Sequence, residues 1–117
     1  MVKRSRLRKK GGRATPSRLR KTNIRKVLLE TIKDIRMKPY DINKGYCQEF
    51  AEDVAKKIPT AEVWETIFES PAPLHLFLKI GDKFYDAETI DGVNNYQDLP
   101  IFKRTGIRKG QKIAERI

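Results

Sequence analysis

Apolar residues recur at helical spacing in two separate stretches of the chain. The first stretch follows an i, i+3, i+4, i+8, i+11 pattern at Ile24, Val27, Leu28, Ile32 and Ile35. Thr22 or Asn23 can cap this helix, and Pro39 closes it. The second stretch keeps the same period before Pro59 stops it, at Cys47, Phe50, Ala51, Val54, Ala55 and Ile58. The pattern predicts two helices whose apolar stripes pack on each other.

Beyond the second helix the pattern becomes typical of strands. Residues 61–68 are rich in β-branched and aromatic side chains, and a Ser-Pro-Ala-Pro corner at residues 70–73 follows them. Residues 75–80 and 83–87 flank Gly81-Asp82, which suits a two-residue hairpin loop. A shorter extended piece is predicted around residues 99–102. The order predicts one α+β domain over residues 22–117, with two N-terminal helices packed on a small antiparallel sheet.

The length of the hairpin loop decides which side chains share a face of the sheet. A two-residue loop at Gly81-Asp82 places Phe77 opposite Asp86 and His75 opposite Glu88. All four side chains then lie on one side, with Asp86 diagonal to His75 at about 7–8 Å between backbones. The carboxylate of Asp86 can therefore orient the imidazole, and Glu88 is the alternative orienter.

Cys47 lies in the first turn of the second predicted helix. Free backbone N–H groups and the helix dipole favour a thiolate at this position, and the same N–H groups could serve as an oxyanion hole. If the helix packs against the sheet face that bears His75, then Cys47, His75 and Asp86 line up as nucleophile, base and orienter. Each residue also has a plain structural explanation: a core cysteine, a strand-end histidine and a solvated strand carboxylate.

Charge separates the ends of the chain from its middle. The net charge is +11 at pH 7, and residues 1–26 hold 12 of the 26 Lys and Arg residues and no acid. Residues 27–102 carry 8 basic and 14 acidic residues, whereas residues 103–117 carry 6 basic residues and one acid. The last segment is therefore predicted to be a basic C-terminal tail.

Residues 1–21 have too few apolar side chains to form a core, and glycine and proline interrupt them. We expect a flexible basic arm that binds the phosphates of nucleic acid, DNA or RNA, or another polyanion. The residues predicted to make these contacts are Lys3, Arg4, Arg6, Arg8, Lys9, Lys10, Arg13, Arg18, Arg20 and Lys21. A solubilising or nuclear-targeting tail is the alternative.

Several classes of protein are disfavoured by what the sequence lacks. Cys47 is the single cysteine, which excludes an internal disulfide, and no apolar run approaches the roughly 20 residues that cross a bilayer. One Cys and one His with scattered acids give no zinc spacing, and no phosphate-binding Gly-rich loop is present. We expect no metal, no cofactor and no membrane partner, in a cytoplasmic or virion-associated protein.

Three segments together resemble a known family. Residues 45–51 (GYCQEFA), 75–77 (HLF) and 84–88 (FYDAE) resemble the papain-like cysteine superfamily in its transglutaminase-like branch. In that branch a Cys opens a helix, a His starts a strand and an Asp lies on the next strand. The resemblance covers about residues 41–102. It implies acyl transfer or amide hydrolysis through a thioester, with Cys47, His75 and Asp86 as the catalytic triad. The chain also has the general character of small phage-encoded proteins.

Three functions follow as hypotheses. The first is a small cysteine-dependent hydrolase or acyltransferase, acting on a protein substrate and tethered to nucleic acid or a nucleoprotein particle by the arm. The second is a non-catalytic structural or packaging protein, for example of a virion, that binds nucleic acid on the same fold. The third is a plain nucleic-acid-binding protein whose acidic middle recruits a partner.

Overall fold

The structure is a computed structural model that describes residues 21–68 and 70–117. The predicted arm therefore lies outside the described residues, apart from Lys21, which is the first residue of helix α1. The described chain begins with α1 (Lys21–Ile35), α2 (Pro39–Gly45) and α3 (Cys47–Lys57). It continues with strands β1 (Glu62–Thr66), β2 (Leu76–Ile80), β3 (Lys83–Asp86) and β4 (Thr89–Val93), a 3-10 turn (Tyr96–Asp98), helix α4 (Pro100–Arg104) and strand β5 (Ala114–Arg116).

The two predicted helices are α1 and α3, and α2 was not expected between them. Thr22 and Asn23 lie inside α1, so neither is its cap. Arg36, with a φ of 66°, ends α1 in the left-handed region. Pro39 does not close α1, which ends four residues earlier at Ile35. It occupies the first turn of α2, where its missing N–H has no helical partner to lose. Tyr46 alone separates α2 from α3.

The strands described form one antiparallel sheet in the order β4-β3-β2-β1-β5, which confirms the α+β class. The hairpin of β2 and β3 has the predicted loop, with Gly81 at a φ of 65° and Ile80 paired with Lys83. The ladder ends early, however. Asp86 pairs with Thr89 across the turn that leads into β4, so Glu88 lies in that turn and not opposite His75.

The C-terminal part of the chain differs most from expectation. The predicted extended piece at residues 99–102 is wrong, because Pro100 opens the short helix α4. The basic segment 103–117 supplies β5, which pairs with β1 through Ala114 and Thr66. Ile113 and Ala114 are buried, so this segment belongs to the fold despite its charge.

The sheet separates two cores. On one face, α1, α2 and α3 pack against Leu78, Ile80 and Tyr85. On the other face the core consists of Phe77, Phe84, Tyr96, Leu99, Ile101, Phe102, Ile113 and Ala114. The helix α3 does not pack against the sheet face that bears His75, since the His75 ring stacks on Phe77 on the opposite side. Cys47 instead lies beside His75 at the start of β2, where the N-terminus of α3 meets the strand.

Candidate active site

Cys47 is the first residue of α3 and is half-buried. Its Sγ accepts a hydrogen bond from the backbone N–H of Leu76 at 3.5 Å. Leu76 directly follows His75 in the chain, so this contact brings the start of α3 to the start of β2. The sulfur consequently lies beside His75, the residue predicted from the sequence to act as its base.

His75 and Asp86 form a buried pair. Nε2 of His75 lies 3.0 Å from Oδ2 of Asp86, and each residue is 1% exposed. The imidazole stacks on Phe77 with ring centroids 5.8 Å apart and meets the edge of Phe102 at the same separation. The aromatic contacts and the carboxylate together hold the ring in one orientation.

The second ring nitrogen of His75 faces no carboxylate. Nδ1 is buried and makes no hydrogen bond within the described part of the chain. Because Nε2 is occupied by Asp86, Nδ1 is the nitrogen that remains for exchanging a proton with the Cys47 thiol or with a substrate.

Electrostatics favour a charged pair of sulfur and imidazole. Burial by itself raises the pKa of Cys47, but interaction with His75 and the N–H group of Leu76 outweighs it, so this pKa lies below its ordinary value. Burial lowers the pKa of His75, whereas the hydrogen bond to Asp86 and the nearby Cys47 sulfur raise it more, to about 8. These directions are those of a thiolate and imidazolium pair near neutral pH.

The Asp86 carboxylate is held by a second contact. Its Oδ1 accepts the backbone N–H of Glu88 at 2.9 Å, which leaves Oδ2 for His75. The Glu88 side chain in turn accepts hydrogen bonds from Asn43 and Arg104. Sequence reasoning missed both donors. Arg104 was counted only as part of a basic tail, and only the four-residue spacing of Asn43 from Cys47 could have drawn attention to it.

Thr66 fixes the backbone that carries His75. Thr66 is buried. The sequence pattern around it indicates only a β-branched strand residue and predicts no role in the site. Its N–H donates to the carbonyl of His75 at 3.1 Å, and its hydroxyl lies 2.9 Å from the carbonyl of Pro73. Thr66 thereby joins β1 to the last residues before β2.

Exposed apolar side chains directly precede Cys47 and His75 in the chain. Tyr46, directly before Cys47, is 44% exposed, and Leu74, directly before His75, is 68% exposed. The sulfur and the imidazole are thus each preceded by an apolar side chain that the fold leaves open to solvent.

Two further properties concern the described residues as a whole. Within residues 21–68 and 70–117, no group of three or more His, Cys, Asp and Glu side chains could hold a metal ion. None of the helices described there combines the length and the apolar character that crossing a bilayer requires. The basic residues predicted to bind nucleic acid lie outside the described part, except Lys21, which is the first residue of α1.

Comparisons of the chain with protein-family models, with curated proteins and with solved structures find no match. The geometry of Cys47, His75 and Asp86 therefore has to carry any functional argument by itself.

Proposed function

We propose that the protein is a small cysteine-dependent hydrolase or acyltransferase, with Cys47 as nucleophile, His75 as acid and base, and Asp86 as the group that orients His75. The observation that supports this most is the buried His75 and Asp86 pair, whose remaining nitrogen is unpartnered next to a cysteine of lowered pKa. Strongly perturbed pKa values are concentrated at functional sites, and a buried pair of histidine and carboxylate beside a thiol is an arrangement suited to acid and base catalysis.

The order of the elements supports a papain-like arrangement of the transglutaminase-like branch. Cys47 opens α3, His75 immediately precedes β2, and Asp86 ends β3. This is the order of helix, strand and next strand on which the family resemblance rests. The fold assignment to that superfamily is part of the proposal.

The reaction would proceed in two halves. The Cys47 thiolate attacks the carbonyl carbon of an amide or ester, and the carbonyl electron pair moves to oxygen. Backbone N–H groups in the first turn of α3 have no helical partner and can donate to that oxyanion. When the tetrahedral intermediate collapses, the leaving group takes a proton from Nδ1 of His75 and a thioester remains on Cys47.

The second half decides between hydrolase and acyltransferase. Water, or an amine in the transferase case, loses a proton to Nδ1 of His75 and attacks the thioester carbon. Collapse expels the Cys47 thiolate and restores the starting pair. Asp86 takes no proton in this scheme, because its role is to hold the ring and stabilise the imidazolium.

Acylation by an activated ester tests the proposal. The wild-type protein mixed with p-nitrophenyl acetate should release a burst of p-nitrophenol and carry an acetyl group on Cys47, detectable by mass spectrometry. The variants Cys47→Ser and His75→Ala should show no burst, and circular dichroism checks that each variant is folded. A folded wild-type protein whose Cys47 is acetylated no faster than free cysteine at the same pH would refute the catalytic function.

Charge supports a second function. Residues 1–26 hold 12 basic residues without an acid, a composition suited to phosphate contacts with nucleic acid. This property is compatible with the enzyme, which it would tether to a nucleoprotein particle. It is also compatible with a packaging protein in which Cys47 and His75 do no chemistry.

A further inference from the structure

The carboxylate of Glu88 is where three elements of the fold meet. Asn43 of α2 donates its Nδ2 to Oε1 at 2.8 Å, and the guanidinium of Arg104 in α4 donates to both carboxylate oxygens at 3.0 and 3.1 Å. The Glu88 side chain is 17% exposed and Asn43 is buried. A carboxylate held by a two-pronged arginine and a buried amide has little freedom to turn.

The same residue also determines how Asp86 is presented. The backbone N–H of Glu88 donates to Oδ1 of Asp86 at 2.9 Å, and Oδ2 is then directed at His75. Glu88 lies in the short turn between β3 and β4, so the direction of its N–H depends on how that turn is fixed. Its side-chain contacts join this turn to α2 and α4 outside the sheet.

The contacts of Glu88 also lead to the nucleophile. Asn43 lies four residues before Cys47, and Tyr46, the single residue between α2 and α3, donates its N–H to the carbonyl of Ile42. Arg104 contacts α2 as well, since its guanidinium lies 4.8 Å from the centre of the Tyr40 ring. Glu88 thus connects the segment that carries the sulfur with the end of β3, which carries the orienting carboxylate.

We propose that Glu88, held by Arg104 and Asn43, is a positioning residue of the Cys47 site, which keeps Asp86 on His75 and the imidazole at a fixed distance from the sulfur. This inference rests on the proposed function of the triad. It assigns to Glu88 a role different from that of an alternative orienter, because its carboxylate binds Arg104 and Asn43 and does not touch the imidazole.

The single histidine of the chain makes the test direct, because both of its ring C–H signals in the NMR spectrum report the same titration. In the wild-type protein the midpoint should lie at about 8, where Asp86 and Cys47 hold it. In Glu88→Gln, Glu88→Ala and Arg104→Lys a less firmly placed Asp86 should let burial lower the midpoint. Alkylation of Cys47 at pH 7 should slow by about tenfold in the same variants, because the imidazole no longer aligns with the sulfur.

Asp91→Ala is the matched control. It removes a carboxylate of β4 whose two oxygens both contact Arg25 at the surface, and it leaves the triad contacts intact. Both readouts should stay at their wild-type values in this variant. If the loss of any ion pair between an arginine and a carboxylate were enough to change the two readouts, Asp91→Ala would change them as the Glu88 variants do.

Folded Glu88→Gln and Arg104→Lys proteins that titrate and alkylate as the wild type does would overturn the inference. If Glu88→Ala fails to fold, these two conservative variants decide alone. A different result would refute the proposed function, namely that p-nitrophenyl acetate does not acylate Cys47 of the wild-type protein. In that case the His75 titration still reports whether Glu88 places Asp86.

Discussion

Nε2 of His75 lies 3.0 Å from Oδ2 of Asp86 in a region closed to solvent. A charged carboxylate in such a place is costly unless it is well paired, and here one oxygen meets an imidazole and the other a backbone N–H. The arrangement makes the imidazolium form of His75 more stable than burial alone would allow. It also leaves Nδ1 as the ring nitrogen that makes no hydrogen bond among the described residues.

Asp86→Asn should keep the fold but weaken the site. The carboxamide removes the negative charge that favours the imidazolium, so the pKa of His75 should fall below its wild-type value of about 8. Iodoacetamide should then alkylate Cys47 about tenfold more slowly at pH 7, an intermediate loss compared with His75→Ala. NMR titration of His75 and the rate of alkylation check this together. Equal alkylation rates for Asp86→Asn and the wild type would mean that the pair is only structural.

Removal of buried side chains from the helical core should destabilise the fold. Leu28→Ala should lower the free energy of unfolding by about 2–4 kcal/mol, because Leu28 is fully buried and its loss leaves a cavity. Val54, also fully buried, should behave similarly with a smaller loss. Leu29→Ala is the control on the same helix, since Leu29 is 44% exposed and should cost less than about 1 kcal/mol. Urea denaturation measures all three, and equal effects at Leu28 and Leu29 would contradict the packing.

The sequence predicted the hairpin of β2 and β3 and the resulting proximity of His75 and Asp86, because both depend on local rules. A Gly-Asp loop fixes the register of β2 and β3, and that register brings Asp86 to His75. The start of α3 at Cys47 followed from its apolar period in the same way. These are the parts of the site that neighbouring residues determine.

The parts that could not be predicted depend on contacts far apart in the chain. Arg104 binds Glu88 across 16 residues and Asn43 binds it across 45, and no periodic pattern marks either pair. β5 is three residues long and rich in charge, so its pairing with β1 is visible only in the folded chain. The side of the sheet that α3 covers was also beyond local reasoning, since both faces carry apolar residues.

Deletion of residues 1–20 should weaken binding to nucleic acid and reduce its dependence on salt. Each phosphate contact made by a Lys or Arg releases counterions, so the slope of log K against log salt falls as basic residues are removed. Fluorescence anisotropy with DNA and RNA oligonucleotides of unrelated sequence measures the slope for the full and truncated chains. The thermal midpoint of the truncated protein serves as the control and should change little. Identical slopes for the two chains would exclude the arm as the binding element.

The pH dependence of Cys47 reactivity should show a window set by two groups. The lowered pKa of Cys47 means that the thiolate forms at a pH below the roughly 8.5 of free cysteine, and it persists above that point. The raised pKa of His75 means that the imidazolium persists up to about pH 8 and is lost as the pH rises further. The charged pair therefore exists between the lowered pKa of Cys47 and the pKa of His75 at about 8. Acylation that needs both groups should follow a bell-shaped profile whose alkaline side falls near pH 8.

Simple alkylation separates the two groups, because iodoacetamide needs the thiolate but no proton donor. Its rate should already be measurable well below pH 8 in the wild type and should shift to higher pH in His75→Ala, where the imidazolium no longer stabilises the sulfur. Unfolding in guanidinium supplies the reference, since Cys47 in the unfolded chain should react like free cysteine. If the folded protein reacts only above pH 8.5, or only after unfolding, Cys47 is a buried structural residue and the packaging function becomes the better proposal.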